Sequence, residues 1–230
     1  AEVIAFPRPR IHIIVTGNEL QEPGKKLLHG QVYEANSFSL TAALQQIHIS
    51  SVQIHFAADN LTLLQETLEV VLQDADLVIL TGGVSVGDYD FVLAATKSCG
   101  VEQYFHNIKQ KPGKPLYFGM KDLIPIFGLP GNPSSVLTCF YEYVLPALEK
   151  LSHHTGFIKT CKKVLTKRIE KKSGITHFLK GNYTEEKVEP LGAQESYRLS
   201  SFAKANCLIC LDEKKTVFEI GDIVEIHIIN

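Results

Sequence analysis

Apolar positions fall into two regimes along this chain. Up to residue 151, short contiguous apolar runs at Ile11 to Val15, Val52 to Phe56, Leu77 to Leu80, Leu116 to Phe118 and Ile124 to Phe127 alternate with stretches of helical periodicity. The runs predict strands covered on both faces, and the periodic stretches predict amphipathic helices. Capping residues place the helix starts: Asn36 for a helix through about Gln46, Asn60 or Thr62 for one through about Leu72, Asp88 or Asp90 for one through about Ser98, and Asn132 for one through about Lys150. This alternation predicts an α/β domain over residues 1–151, a mostly parallel sheet with helices on both faces that binds ligands beyond the carboxyl ends of its strands. After Leu151 a polar hinge, Ser152-His153-His154-Thr155-Gly156, leads into β-type runs at Thr160 to Ile169, His177 to Tyr183, Cys207 to Leu211 and Ile223 to Ile229. Turn residues around Lys171 to Gly174, Glu185-Glu186 and Ile220 to Asp222 separate them, which predicts a small all-β barrel or sandwich over residues 157–230.

Composition narrows the function classes. A length of 230 residues allows one or two domains, and a 45% hydrophobic fraction permits a substantial core. With 23 basic and 25 acidic residues well mixed, no general nucleic-acid surface is expected, so any anion site must come from local placement. No apolar run approaches the roughly 20 residues that cross a bilayer, and Ala1 to Arg10 lacks a signal-peptide core, so the expectation is a cytoplasmic chain without a membrane partner. The spacing of Cys207-Leu208-Ile209-Cys210 is that of half a zinc site, but residues three apart in a strand point to opposite faces and no second pair completes it. These cysteines read as core, and the scattered histidines are assigned to no metal.

Two loops carry the candidate chemistry. Thr81-Gly82-Gly83-Val84-Ser85-Val86-Gly87-Asp88-Tyr89-Asp90 follows an apolar run and precedes a helical stretch; its glycines let backbone N–H groups approach a phosphate, and Asp88 and Asp90 put carboxylates where a hard cation bridges to it. Either aspartate serves equally well as a helix cap. Gly128-Leu129-Pro130-Gly131-Asn132-Pro133-Ser134-Ser135 has the same strand-to-helix setting, with Pro133 suited to the first helical position and free N–H groups expected beyond Asn132. Between them, Lys111-Pro112-Gly113-Lys114-Pro115 presents two ammonium groups from a stiffened segment, with an oxyanion as natural counter-charge and solvated lysines as the plain alternative.

The run TGGVSVGDYDFV, then KPGKPLYFG, then GLPGNPSSVLTCFYEYVLPAL, in this order, resembles the MoeA and gephyrin E-domain family of molybdopterin molybdenumtransferases. The segments Arg8 to Leu20 and Gly30 to Ser37, and the tail through Ser196 to Asn206, agree with it. The resemblance spans the chain but covers only the C-terminal two of the family's four domains, a MogA-like α/β domain and a C-terminal β-domain.

The resemblance implies insertion of molybdenum from molybdate into adenylylated molybdopterin with release of AMP, assisted by magnesium (Mg2+), in a homodimer whose cleft is completed by the N-terminal family domains or a partner subunit. Carried over position by position, it implies catalytic roles for Glu19, Asp59, Asp90, Lys111 and Lys114 and a metal set of Asp59, Asp88 and Asp90. The pterin or phosphate pocket is then Thr81, Gly82, Gly83, Ser85, Gly87, Asp88, Pro130, Gly131, Asn132 and Ser134. In the β-domain, Ser196-Tyr197-Arg198-Leu199-Ser200-Ser201 resembles the family's GSHxxSS segment with Glu195 and Tyr197 in place of its glycine and histidine; Ser200 is a candidate for oxyanion contact and equally for a helix cap. Two other readings share the scaffold: a pterin adenylyltransferase or nucleotide pyrophosphatase, whose members typically lack the β-domain, and a gephyrin-like peptide-binding scaffold.

Overall fold

A computed structural model describes residue 4, residues 6–83 and residues 91–229. In chain order the first unit contains β1 (Ile11–Thr16), β2 (Leu20–Gln21), β3 (Val32–Tyr33), α1 (Asn36–Gln46), β4 (Val52–Ala57), α2 (Leu61–Val71), β5 (Leu77–Thr81), α3 (Phe91–Ser98), β6 (Glu102–His106), β7 (Gln110–Lys111), β8 (Tyr117–Lys121), β9 (Ile124–Leu129), α4 (Pro133–Cys139), a π-helical turn (Phe140–Val144) and α5 (Leu145–Leu151). There follow β10 (Thr160–Leu165), β11 (Ile169–Glu170), β12 (Thr176–Tyr183), β13 (Lys187–Pro190), α6 (Leu199–Phe202), β14 (Cys207–Leu211), β15 (Val217–Phe218) and β16 (Ile223–Ile228).

The first sheet has the order β4-β1-β5-β9-β8-β6. Strands β4, β1, β5 and β9 run parallel, and β8 and β6 extend the sheet antiparallel. The contiguous apolar character of β1 and β5 follows from burial on both faces: Ile13, Ile79 and Phe127 pack with Leu40, Leu44, Val136 and Phe140, whereas Ile14, Val78 and Ile126 pack with Leu64, Leu68, Val92 and Ala95. Helices α1 and α4 thus cover one face and α2 and α3 the other, as the strand–helix alternation predicts.

The second unit closes on itself. Strands run β13-β10-β16-β14-β12, and β12 pairs again with β13, giving a five-stranded barrel rather than a sandwich, filled by Leu165, Val188, Ile209, Leu211, Val224 and Ile226. Two features join it to the α/β unit. Strand β7 adds in parallel to the outside of β12, pairing Lys111 with His177, and Phe202, Leu208 and Ile229 pack in the same apolar cluster as Phe140 and Leu148. Cys207 faces the barrel interior and Cys210 the opposite side; burial pushes both thiols up to about 12, so they stay protonated.

Several expectations need correction. Asn36 does not cap α1: its amide donates to the Gly131 carbonyl at 2.9 Å, and Glu34 instead accepts from the Ser37 N–H at 2.8 Å. Asn60 does cap α2, accepting from Leu63 N–H at 3.1 Å. The helix expected from Asn132 to about Lys150 is present, running without a gap from Pro133 to Leu151 through a π-helical turn at Phe140–Val144, but the Asn132 side chain makes no cap bond. Pro146 has no N–H for the carbonyl one turn back, and the ladder is loosened just ahead of it. Helix α6 begins at Leu199, so Ser200 lies inside it and is not its cap. Strand β6 and strand β13 carry too few apolar residues to have been recognised.

Candidate functional site

Because β1, β4, β5 and β9 are parallel, the loops that leave them gather at one edge of the sheet. There they wall a cleft of about 980 Å³, to which β1 contributes Gly17 to Leu20, β4 contributes Asp59, β5 contributes Gly82 and Gly83, and β9 contributes Pro130 to Pro133. Gly82 and Gly83 adopt φ of 83° and 62°. A Cβ on Gly82 would lie 2.4 Å from the Thr16 carbonyl oxygen, so this loop crosses directly over the end of β1 and only glycine fits. Thr81, buried beneath it, accepts through its carbonyl from the Thr16 hydroxyl at 3.2 Å.

The second glycine loop lies against the first. Gly82 N–H donates to Leu129 O at 3.3 Å, and a Cβ on Gly131 would sit 3.9 Å from Gly82 Cα. The same loop is held from two further sides. Asn36 binds the Gly131 carbonyl, while the Asn132 amide donates to Ser196 Oγ at 3.0 Å and Ser134 N–H donates to Ser196 O at 2.9 Å. The Ser134 N–H anticipated as free is therefore occupied by the barrel, and Ser134 itself is buried under the cleft rather than on its wall.

The acidic candidates divide. Asp59 and Glu19 both line the cleft. Asp59 is fixed by a reciprocal pair of bonds, Asn18 N–H to Asp59 Oδ2 at 3.1 Å and Asp59 N–H to Asn18 Oδ1 at 3.2 Å, which hold the β1 and β4 loops together. The Glu19 carboxylate reaches to 2.9 Å of where a Cβ on Gly17 would be. Ser85, Gly87, Asp88 and Asp90 lie outside the described residues, and among the described residues no group of three acid, histidine or cysteine side chains forms a metal cluster.

The lysine segment is built around Gln110. Its amide donates to the carbonyls of Pro112 (3.0 Å) and Gly113 (3.2 Å), and its Oε1 accepts from the Tyr143 hydroxyl. Lys111 and Lys114 are exposed and do not line the cleft, whereas Pro115 of the same segment does. In the barrel, Ser200 is exposed and off the cleft wall, and the Ser201 hydroxyl donates to the carbonyls of Ala193 (2.8 Å) and Arg198 (3.0 Å). Instead Tyr197 and Leu199 reach the wall, joined by Tyr33, Asn36, Asn18 and Phe91. None of these six was a sequence-level candidate. The departure of Tyr197 from the family's histidine and the matching Gly30 to Ser37 segment were the signals that pointed near them.

Three buried polar atoms beside the two glycine loops, Asn36 Oδ1, Thr81 Oγ1 and Ser134 Oγ, have no hydrogen-bond partner among the described residues. Buried groups of this kind are ordinarily satisfied by water or by a polar ligand.

A mostly parallel α/β domain with paired glycine loops over one cleft, continued by a five-stranded barrel that reaches back to the same cleft, is an arrangement that comparison with known proteins assigns to a family. Residues 12–150 match the family described as "Probable molybdopterin binding domain", and residues 162–229 match the "MoeA C-terminal region (domain IV)". The chain belongs to this family, in its MoeA form. The molybdopterin molybdenumtransferase of Haemophilus influenzae is 34% identical over 237 residues, covering 100% of this chain and 58% of the relative. That of Nostoc sp. is 32% identical over 235 residues, covering 96% and 53%. A crystal structure of the molybdopterin biosynthesis MoeA protein from Pyrococcus horikoshii superposes with a TM-score of 0.83 at 27% identity, over 97% of this chain and 55% of that one. The chain thus spans about half the length of the curated relatives it matches.

Proposed function

We propose that this chain carries the pterin-binding part of a molybdopterin molybdenumtransferase, which inserts molybdenum from molybdate into adenylylated molybdopterin and releases AMP. One observation carries the reading: the two glycine loops and the carboxylates of Asp59 and Glu19 meet on a single cleft at the carboxyl edge of the sheet. Asn36 Oδ1, Thr81 Oγ1 and Ser134 Oγ, without a partner among the described residues, suit a ligand rich in polar groups. On this reading the units 1–151 and 157–230 act together, the first gripping pterin and phosphate, the second closing the cleft through Tyr197.

Magnesium fits the donor set, since it takes one or two carboxylates and fills its remaining positions with substrate phosphate oxygens and water. Asp59, whose Oδ1 accepts no hydrogen bond among the described residues, and Glu19 would hold it, with Asp88 and Asp90 as further candidates. Bound there, it would neutralise charge on the phosphates of the adenylate. The protein's own contribution would be backbone N–H groups of the glycine loops other than those of Gly82 and Ser134, which are already spent within the fold, offered to the charge that grows as the anhydride bond breaks. Lys111 and Lys114 stand ready on their braced segment to draw oxyanions towards the cleft. Completion of the site by a second subunit in a homodimer or by the further domains of the relatives, and a cytoplasmic setting, belong to the same proposal.

The test is isothermal titration with molybdopterin adenylate, with and without magnesium. Asp59→Asn should weaken binding roughly ten-fold in magnesium and leave the magnesium-free affinity alone. Equal affinities in magnesium would remove Asp59 from the metal set. Release of AMP from preformed adenylate only when molybdate is added separates this reading from an adenylyltransferase.

A further inference from the structure

The barrel holds its side of the cleft with a buried lysine. Lys180 of β12 is 3% exposed, and its ammonium donates to three backbone carbonyls, those of Ala193 (3.0 Å), Glu195 (3.4 Å) and Arg198 (3.4 Å). Burying an ammonium is costly unless its donors are filled, and a methionine would occupy the same space without that penalty. All three acceptors belong to one loop. Gln194 braces it again, accepting from Lys180 N–H at 3.0 Å and donating to Lys180 O at 2.8 Å, and Ser201 ties Ala193 from the other side. Burial lowers the lysine's pKa, with the charge of Glu195 in partial compensation and that of Arg198 adding to the lowering.

The loop delivers Ser196 to the second glycine loop and Tyr197 to the cleft, with Leu199 following at the start of α6. Ser196 receives both the Asn132 amide and the Ser134 N–H of the second glycine loop, and the next residue, Tyr197, stands on the cleft wall with 62% of its surface free. A continuous series of bonds therefore runs from the Lys180 ammonium through residues 193–198 to the glycine loop.

We infer that Lys180 is a positioning residue: by tying down residues 193–198 it sets where Tyr197 stands against the second glycine loop, and with that the fit of the ligand. The inference rests on the proposed function only where ligand affinity is read. The chain has no tryptophan, so Tyr197→Trp introduces a single fluorophore on the cleft wall. Time-resolved anisotropy of Tyr197→Trp is compared with that of Tyr197→Trp/Lys180→Met, and both are titrated with molybdopterin adenylate in magnesium. With Lys180 present the indole should tumble with the whole protein; with Lys180→Met a fast local motion should appear and adenylate affinity should fall roughly ten- to hundred-fold, while far-UV circular dichroism and cooperative unfolding persist. Unchanged anisotropy overturns the inference. If the indole is freed but neither protein binds adenylate, the positioning role stands and the proposed function fails. Should Lys180→Met not fold, Lys180→Arg, which keeps the charge but replaces a tetrahedral donor with a planar fork, decides in the same way: a freed indole supports the role and a fixed one overturns it.

Discussion

His227, on β16 of the barrel, meets the α/β unit through charge, and this contact makes a quantitative prediction. Its Nδ1 lies 2.8 Å from both carboxylate oxygens of Glu142 on the π turn, and its Nε2 lies 3.0 Å from Glu225. The side chains are largely enclosed, 21% exposed for His227 and 7% for Glu142, with the Phe178 ring packed 6.1 Å away. Burial, the largest single influence, pulls the imidazole pKa down; the hydrogen bond and charge of Glu142, then those of Glu225, outweigh it and leave the pKa at about 9. A histidine that holds its proton more tightly folded than unfolded adds stability that is fully present below its unfolded pKa of 6.5 and is lost as pH rises through 9. From 6.5 to about 9, at ~1.4 kcal/mol per ten-fold in proton affinity, the difference is roughly 3.5 kcal/mol, of which about 3 kcal/mol falls between pH 6 and pH 10. Urea unfolding of the parent chain and His227→Gln, at pH 6 and pH 10, measures it. The stability gap between the two proteins should be larger at pH 6 by about 3 kcal/mol. A gap that does not change with pH would show that the ring packs there as a neutral group and would refute the reasoning.

Two further substitutions test the loops. Gly82→Ala places a Cβ 2.4 Å from the Thr16 carbonyl at φ of 83°, so it should cost roughly 2 kcal/mol or more and abolish adenylate binding, whereas Gly174→Ala, at φ of 85° with nothing within 4 Å, should cost only about 1 kcal/mol; thermal melts of the pair separate clash from backbone strain. Gln110→Leu removes both donors that hold the Pro112 and Gly113 carbonyls and leaves the Tyr143 hydroxyl without its acceptor, and should cost roughly 2 to 3 kcal/mol in urea unfolding.

The parts of the fold that were legible are those where one physical demand governs a whole segment. Strands β1 and β5 are mostly apolar because helices cover both their faces, and the glycine loops are recognisable because the chain must turn sharply where strand gives way to helix. Elements that answer to two demands escaped notice. Strand β6 begins Glu102-Gln103-Tyr104, all exposed, because it is a sheet edge with little to bury, and β13 commits only Val188 to the barrel interior. Asn36 reads as a cap from its neighbours alone, yet a carbonyl 95 positions away claims its amide while Glu34 serves the helix start. The convergence of the two glycine loops followed from parallel strand order; the roles of Tyr197 and Ser196 did not, because no local preference encodes a wall supplied from another unit.

Lys180 shows why that last part of the site is hidden and also how it is built. In β12, Leu179 turns towards the barrel interior, so Phe178 and Lys180 look outward, where alternation leads one to expect solvent and a lysine is unremarkable. What covers Lys180 on this side is the 193–198 loop, three of whose carbonyls its ammonium binds. Lysine and loop thus account for each other: without the ammonium the loop would lose the one donor that binds all three carbonyls, keeping only the Ser201 hydroxyl on Ala193 and Arg198 and the Arg198 N–H on Glu195, and the ammonium without the loop would simply be hydrated. A buried charge maintained in this way, when an apolar side chain would serve the barrel equally well, is explained by the position of Tyr197 on the cleft and not by the stability of the fold.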